Sequence, residues 1–336
     1  MTFDSKNNIR PFLLHPLTLL SLVVTLLFPS ITSAKNFAFQ FIPENYLSDT
    51  FMGIKNINSL GIGNQRVNGL PVTEISGLAW DEGRQLLYGV SDTGLLYHIK
   101  LTVKNKKLTA TKVIKAYQLK DKKGKPFKRK YSDSEGLSLK RDASGKVVAL
   151  IISFERKFRI GYFNLQGKLL RYVKLPQKLN NKKNYQSKNK GLESVTLHPK
   201  FGVITAAERP LWGAPKHYQT LYSAQGKIWH FKQLPYKNIS VTGLESLPNG
   251  DILVLERAYS GFFSPMIIAL RQVKLSACDT SHKCKVEEIA IFDSTDGWRI
   301  DNFEGLTHFK NNQYLIVSDD NNSPLQSTAL VLFEMK

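Results

Sequence analysis

From about residue 70 onward the chain reads as short apolar runs cut by polar turns. The runs "QLLYGV", "VVALIISF", "GVITAA", "DILVL" and "YLIV" are each four to eight residues long. Turn residues bound them, such as Asp81-Glu82-Gly83, Ser144-Gly145, Asn249-Gly250 and Asn311-Asn312. Continuous apolar runs of that length, rich in β-branched residues, predict buried strands. No amphipathic helical period follows residue 35. The runs also recur. Each is preceded by a Gly-Leu pair, led by Gly77, Gly136, Gly191, Gly243 and Gly305, at spacings of 59, 55, 52 and 62 residues. A third apolar run follows each one, and in most repeats a fourth. Four antiparallel strands repeated at such a period predict a β-propeller. Five blades are favoured, with a sixth left open. The last repeat lacks a fourth strand, and "FMGIKNINSLGI" (51–62) is expected to complete it and close the ring. A β-sandwich is the rival all-β architecture, but it would not require the repeat.

The N-terminus belongs to a different pattern. Lys6 and Arg10 precede an apolar run of twelve residues at 17–28, bracketed by Pro16 and Pro29, with small Thr32 and Ala34 beyond. This is the form of a secretory signal peptide cleaved after Ala34. The run is shorter than the roughly 20 residues that span a bilayer. The expected domains are therefore residues 1–34 as signal peptide and 35–336 as one propeller, periplasmic or secreted. In an exported chain the close pair Cys278 and Cys284 predicts a disulfide, since a zinc site would need two more ligands.

Composition adds one point. The formal net charge is +20, which favours anionic partners. The lysine runs at 120–130 and 178–190 are expected to be loops, either simply solvated or forming a collar that gathers anions. Export and the scarcity of interleaved aromatics argue against nucleic acid. The partners expected are a small anionic or ester substrate and peripheral contact with an anionic envelope surface, for a monomer.

Against this basic background the acids cluster in one predicted place. In an antiparallel meander the start of the first strand and the end of the second share one end of the blade. Glu135, Glu193, Glu245 and Glu304 stand at the starts. Asp92, Glu155, Glu208, Glu256 and Asp319-Asp320 stand at the ends. Close carboxylates raise one another's pKa unless a cation lies among them. Either Arg156, Arg209 and Arg257, which follow second-strand acids, or a Ca²⁺ ion could serve. The expected metal set is Asp92, Glu135, Glu193, Glu245, Asp301, Glu304, Asp319 and Asp320. A Ser/His/Asp triad finds no G-x-S-x-G elbow to carry it.

The stretches "DNFEGLTHF" (301–309), "LIVSDDNNSPLQSTALVLFEM" (315–335), "VTGLESLPNGDILVLER" (241–257), "NKGLESVTLHP" (189–199) and "ISGLAWD" (75–81) resemble the phytase-like propeller family described as "esterase-like activity of phytase". The resemblance covers about residues 70–336. It implies ester or phosphoester hydrolysis, with Ca²⁺ in an acidic channel mouth, as in propeller phytases. Glu304, Asp319 and Asp320 are then the catalytic candidates, and Arg156, Arg209 and Arg257 would clamp an anionic substrate. A lactonase-type propeller would also need central Ca²⁺. The alternative is a non-catalytic propeller that binds an anionic polymer, lipid or protein.

Overall fold

The computed structural model describes residues 1–2, 36–261, 264–323 and 325–336. The apolar segment 17–28 and the cleavage point after Ala34 lie outside the described residues. The chain divides into two units, Met1–Ser33 and Ala34–Lys336, and every described strand lies in the second. Regular helix there amounts to one short turn, Gln177–Asn180, and a few 3₁₀ turns. The all-β class expected from the sequence is the class observed.

Five antiparallel meanders follow one another. The first comprises Ile75–Asp81, Leu86–Ser91, Leu95–Lys104 and Lys107–Gln118. The second comprises Ser134–Arg141, Val147–Phe154, Arg159–Phe163 and Leu169–Tyr172, and the third Leu192–His198, Gly202–Ala207, Tyr218–Ser223 and Ile228–Lys232. The fourth comprises Ile239–Ser246, Ile252–Ala258, Ile267–Cys278 and Lys283–Asp293. The fifth has Asn302–Lys310, Gln313–Asp319 and Ala329–Met335 from the C-terminal end. Its fourth strand is Ile54–Gly61, which pairs antiparallel with Ala329–Met335 (Ile54 opposite Met335, Gly61 opposite Ala329). That is the closure the 51–62 pattern predicts.

The first strands lie side by side in a ring, each against the next, and Asn302–Lys310 returns to Ile75–Asp81. Each meander is therefore packed on both faces by its neighbours. The second strands are buried along almost their whole length, and this is why they read as unbroken apolar runs. One joint between sheets has no local signature. Ile228–Lys232 pairs in parallel with Lys283–Asp293 (His230 opposite Lys283, Phe231 opposite Cys284), fusing the third and fourth meanders into one eight-stranded sheet. The expected disulfide, Cys278–Cys284, spans the hairpin at this joint.

The repeated glycines have a packing cause. A Cβ on Gly77 would come within 2.3 Å of the Glu135 carbonyl oxygen in the next first strand, and one on Gly136 within 2.6 Å of the Val195 nitrogen. Backbone approach this close admits glycine best.

Candidate active site at the acidic end of the ring

Each first strand carries a β-bulge near its start. The extra residues are Ser76, Glu135, Glu193, Thr242 and Glu304, read from the register shifts against the second strands. A bulge re-aims a side chain, and here it recurs at one height in all five meanders. The residues facing it at the second-strand ends are also equivalent by register. They are Asp92, Glu155, Glu208, Arg257 and Asp319, each one step beyond the pairs Ile75–Ser91, Ser134–Phe154, Leu192–Ala207, Val241–Glu256 and Phe303–Ser318. Two five-membered rings of side chains therefore face one end. Three members of one and four of the other are acidic, and Asp133 adds a further carboxylate.

The register corrects two expectations. Glu256 is not the counterpart of Glu155 and Glu208; Arg257 is. Period-two alternation turns Glu256 to the other face, where it meets Arg271 at 2.8 Å with both side chains almost fully buried. Glu245 does not belong to this end either. It is the seventh residue of Ile239–Ser246, so it emerges at the opposite end of the ring.

Within the acidic end, the carboxylate oxygens of Asp133, Glu135 and Glu155 lie within 4.8 Å of one another, and so do those of Glu155, Glu193 and Glu208. All five residues are buried. Three bases answer them directly. Lys190 lies 2.7 Å from Glu208, Arg257 lies 2.7 Å from Glu304, and Arg156 lies 3.1 Å from Asp133. Eight carboxylates (Asp92, Asp133, Glu135, Glu155, Glu193, Glu208, Glu304 and Asp319) thus share three bases. The excess shows in the titration of Asp92, Glu135, Glu155, Glu193 and Asp319. Burial, then Glu74, Asp133 and Glu304, push the Asp92 carboxyl up to about 7. Burial, then Asp133 and Glu208, push Glu155 up to about 8. Burial, then Glu304, push Asp319 up to about 9. Burial foremost also holds Glu135 and Glu193 well above the usual carboxylate range, reinforced by each group's acidic neighbours. Glu193 Oε2 and Asp92 Oδ1 are buried without a hydrogen-bond partner among the described residues.

This donor set suits a hard divalent cation. Such an ion takes several carboxylate oxygens at roughly 2.3–2.6 Å, so ligand oxygens up to about twice that apart can share it. The two trios meet this spacing and have Glu155 in common.

Of the other expected ligands, Asp320 and Asp301 are already engaged. Asp320 accepts from Thr73 Oγ1 (2.8 Å), the Glu74 amide (2.9 Å) and Thr328 Oγ1 (2.8 Å). It ties the fifth meander to the segment that enters the first. Asp301 accepts from the Ser327 amide (2.8 Å) and Gln326 Nε2 (3.1 Å). Arg209 donates to the Ile239 carbonyl at 3.3 Å, which braces the third meander to the fourth. Arg156, its side chain 55% exposed, is the most open of the three arginines. Sequence reasoning passed over Asp133. Its signal was the first of the two acids in "SDSEGL", two residues before the bulge.

The opposite end holds a cavity of about 410 Å³ lined by Trp80, Arg141, Thr196, Glu245, Ser246 and His308, among others. Its rim is braced from strand to strand. Ser138 Oγ accepts from the Leu197 amide (3.1 Å), Thr196 Oγ1 from Ser246 (3.1 Å) and Thr307 Oγ1 from Trp80 (3.1 Å). Glu245 holds the corresponding amide of His308. Its carboxylate thus stands where three other meanders place a hydroxyl.

The molecule is thus an all-β ring whose carboxylate cluster at one end could hold a metal ion. The family model "Phytase-like", described as esterase-like activity of phytase, matches residues 70–322, and the chain belongs to that family. No curated protein matches it.

Proposed function

We propose that the protein is an exported hydrolase of phosphoester or other ester bonds, working at the acidic end of the ring with Ca²⁺ held by Glu135, Glu155, Glu193 and Glu208. The observation that carries this reading is the excess of eight clustered carboxylates, seven of them buried, over three bases, with two of their oxygens unpartnered among the described residues. Burying so many like charges is costly unless protons or a cation neutralise them. A bound Ca²⁺ supplies a Lewis acid for an ester oxygen and lowers the pKa of a coordinated water. The side chains do the rest. Asp319, with its carboxyl near 9, holds a proton at neutral pH that a leaving oxygen can take. Asp92, near 7, is poised to accept one. Arg156 and Lys190 are the more exposed of the three paired bases and face an incoming anion, whereas Arg257 lies deeper against Glu304. The sequence of residues 1–34 supports export.

The purified protein, stripped with chelator, should turn over members of a phosphomonoester and carboxylester panel only when Ca²⁺ is returned. Glu193→Gln should reduce kcat/KM by about 10²-fold or more, the scale of losing a principal electrostatic group. Ca²⁺ at 100 times its Kd should add about 2.7 kcal/mol of stability. Absence of turnover on the whole panel with every divalent ion would overturn the hydrolase reading. An unmoved melting curve would overturn the cation site.

A further inference from the structure

Beside the acidic end lies a cavity of opposite character. It measures about 680 Å³, and its lining holds Lys130, Arg156, Lys157, Lys182, Lys183 and Lys188 with Phe158, Ser187 and Asn189, and no acid. Among the described residues only Arg156 of the six cations forms an ion pair. Lysine stems and the Phe158 ring make the walls apolar while the ammonium groups stay at the rim. Phe158 is fixed by stacking on Tyr185 at 3.8 Å.

Two exposed aromatics flank this basin. Trp212 is 60% exposed and Tyr131 is 48% exposed. Trp212 is tied to the basic segment at both its polar backbone groups. Its amide donates to the Asn184 carbonyl (2.7 Å), and its carbonyl accepts from Lys178 Nζ (2.8 Å). Tyr131 lies under the ammonium groups of Lys157 (5.3 Å) and Lys130 (6.0 Å). A soluble anion would be satisfied by the lysines alone. Large aromatics left in water beside them need a ligand with an apolar part next to its charge. An amphiphile whose anionic headgroup adjoins hydrocarbon has that form, and polybasic surfaces with interfacial Trp and Tyr match it.

We propose that this rim docks on an anionic phospholipid bilayer, with a headgroup phosphate in the basin and Trp212 and Tyr131 in the interfacial layer. The docking is independent of whether the acidic end hydrolyses esters.

The test is co-sedimentation of the purified protein with vesicles, either phosphatidylcholine alone or phosphatidylcholine mixed with phosphatidylglycerol. The protein should pellet with the mixed vesicles and be released by high salt, which screens surface attraction. Each lysine near the surface contributes on the order of fivefold in partitioning, so K182Q/K183Q/K188Q should weaken it about a hundredfold. Fluorescence supplies a second readout. Trp80, Trp229 and Trp298 are buried, so a blue shift on vesicle binding reports Trp212, and W212F should abolish it. Equal pelleting on neutral vesicles, or binding indifferent to salt, would assign attachment to the apolar run at 17–28 and overturn the proposal. Undiminished binding by a triple variant that melts like the parent would also overturn it. If the triple variant does not fold, the salt series and W212F decide. A Trp212 shift with glycerol phosphate but no pelleting would give the basin to soluble phosphate esters instead.

Discussion

Glu245 shows how much one side chain's position depends on register. Its carboxylate accepts the His308 amide, a bond that hydroxyls make in three other meanders, while burial pushes its pKa up to about 8. In the unfolded chain it titrates near the ordinary 4.5. Between those values the folded state holds a proton that the unfolded state has released, so this residue's contribution to stability falls as pH rises from about 4.5 to about 8. Glu245→Gln keeps an acceptor and removes the titration. Urea midpoints should therefore show the variant gaining on the parent steadily from pH 5 to pH 8, and a constant difference would contradict the assignment. The sequence concealed this residue's location behind a coincidence. "GLES" occurs at 191–194 and again at 243–246, yet the strand register aligns Ser194, not Gly191, with Gly243. Glu193 and Glu245, alike in the text, emerge at opposite ends. The "ER" pairs mislead in the same way, since a slip of one residue exchanges the two faces of a strand. The acids at 92, 135, 155, 193, 208, 304 and 319 were legible because bulge and strand end recur at nearly fixed offsets from the apolar runs.

At the scale of the element, the ring of interstrand braces has one gap. The position held by Ser138, Thr196, Glu245 and Thr307 is Ala79 in the first meander, opposite Leu139 of the next strand. Ala79 lines the open cavity at that end, so there is room for one more oxygen. Ala79→Ser should complete the ring and stabilise the fold by about 1 kcal/mol, the usual net value of a made hydrogen bond. Chemical denaturation measures it, and destabilisation would show that the Leu139 amide is not waiting for an acceptor. The elements themselves were readable because every meander is sandwiched between two others, which makes its second strand uniformly apolar. The parallel joint of Ile228–Lys232 with Lys283–Asp293 was not readable. It is a contact between two outer strands, and pairing an edge leaves no period of its own. The disulfide was predicted from a close cysteine pair in a chain read as exported, whereas its location at this joint is a property of the three-dimensional sheet.

At the scale of the molecule, the ring is held shut by a strand from far away in the chain. Ile54–Gly61 covers the edge of Ala329–Met335, and the segment leading into it is anchored by aromatics. Phe41 lies 5.0 Å from Phe292, 5.3 Å from Trp298 and 5.6 Å from Phe303. Phe39, Phe41 and Ile54 are buried in the core that joins the fourth and fifth meanders. Each such side chain contributes roughly 1.5–3 kcal/mol on burial, and a domain's whole stability is only about 5–15 kcal/mol. Removing residues up to Gly61 should therefore cost a large part of it. It also uncovers Ala329–Met335, an apolar edge that invites pairing with another chain. The expected result is a melting transition that drops by tens of degrees or disappears, with oligomers by size-exclusion chromatography. A synthetic peptide spanning residues 36–62, added in trans, should restore a monomeric species by re-forming the missing strand, as peptides do at open sheet edges. A truncated protein that stays monomeric and melts like the parent would mean that the five meanders close on themselves without the N-terminal strand. The long-range pairing would then be decoration on the ring, not its latch.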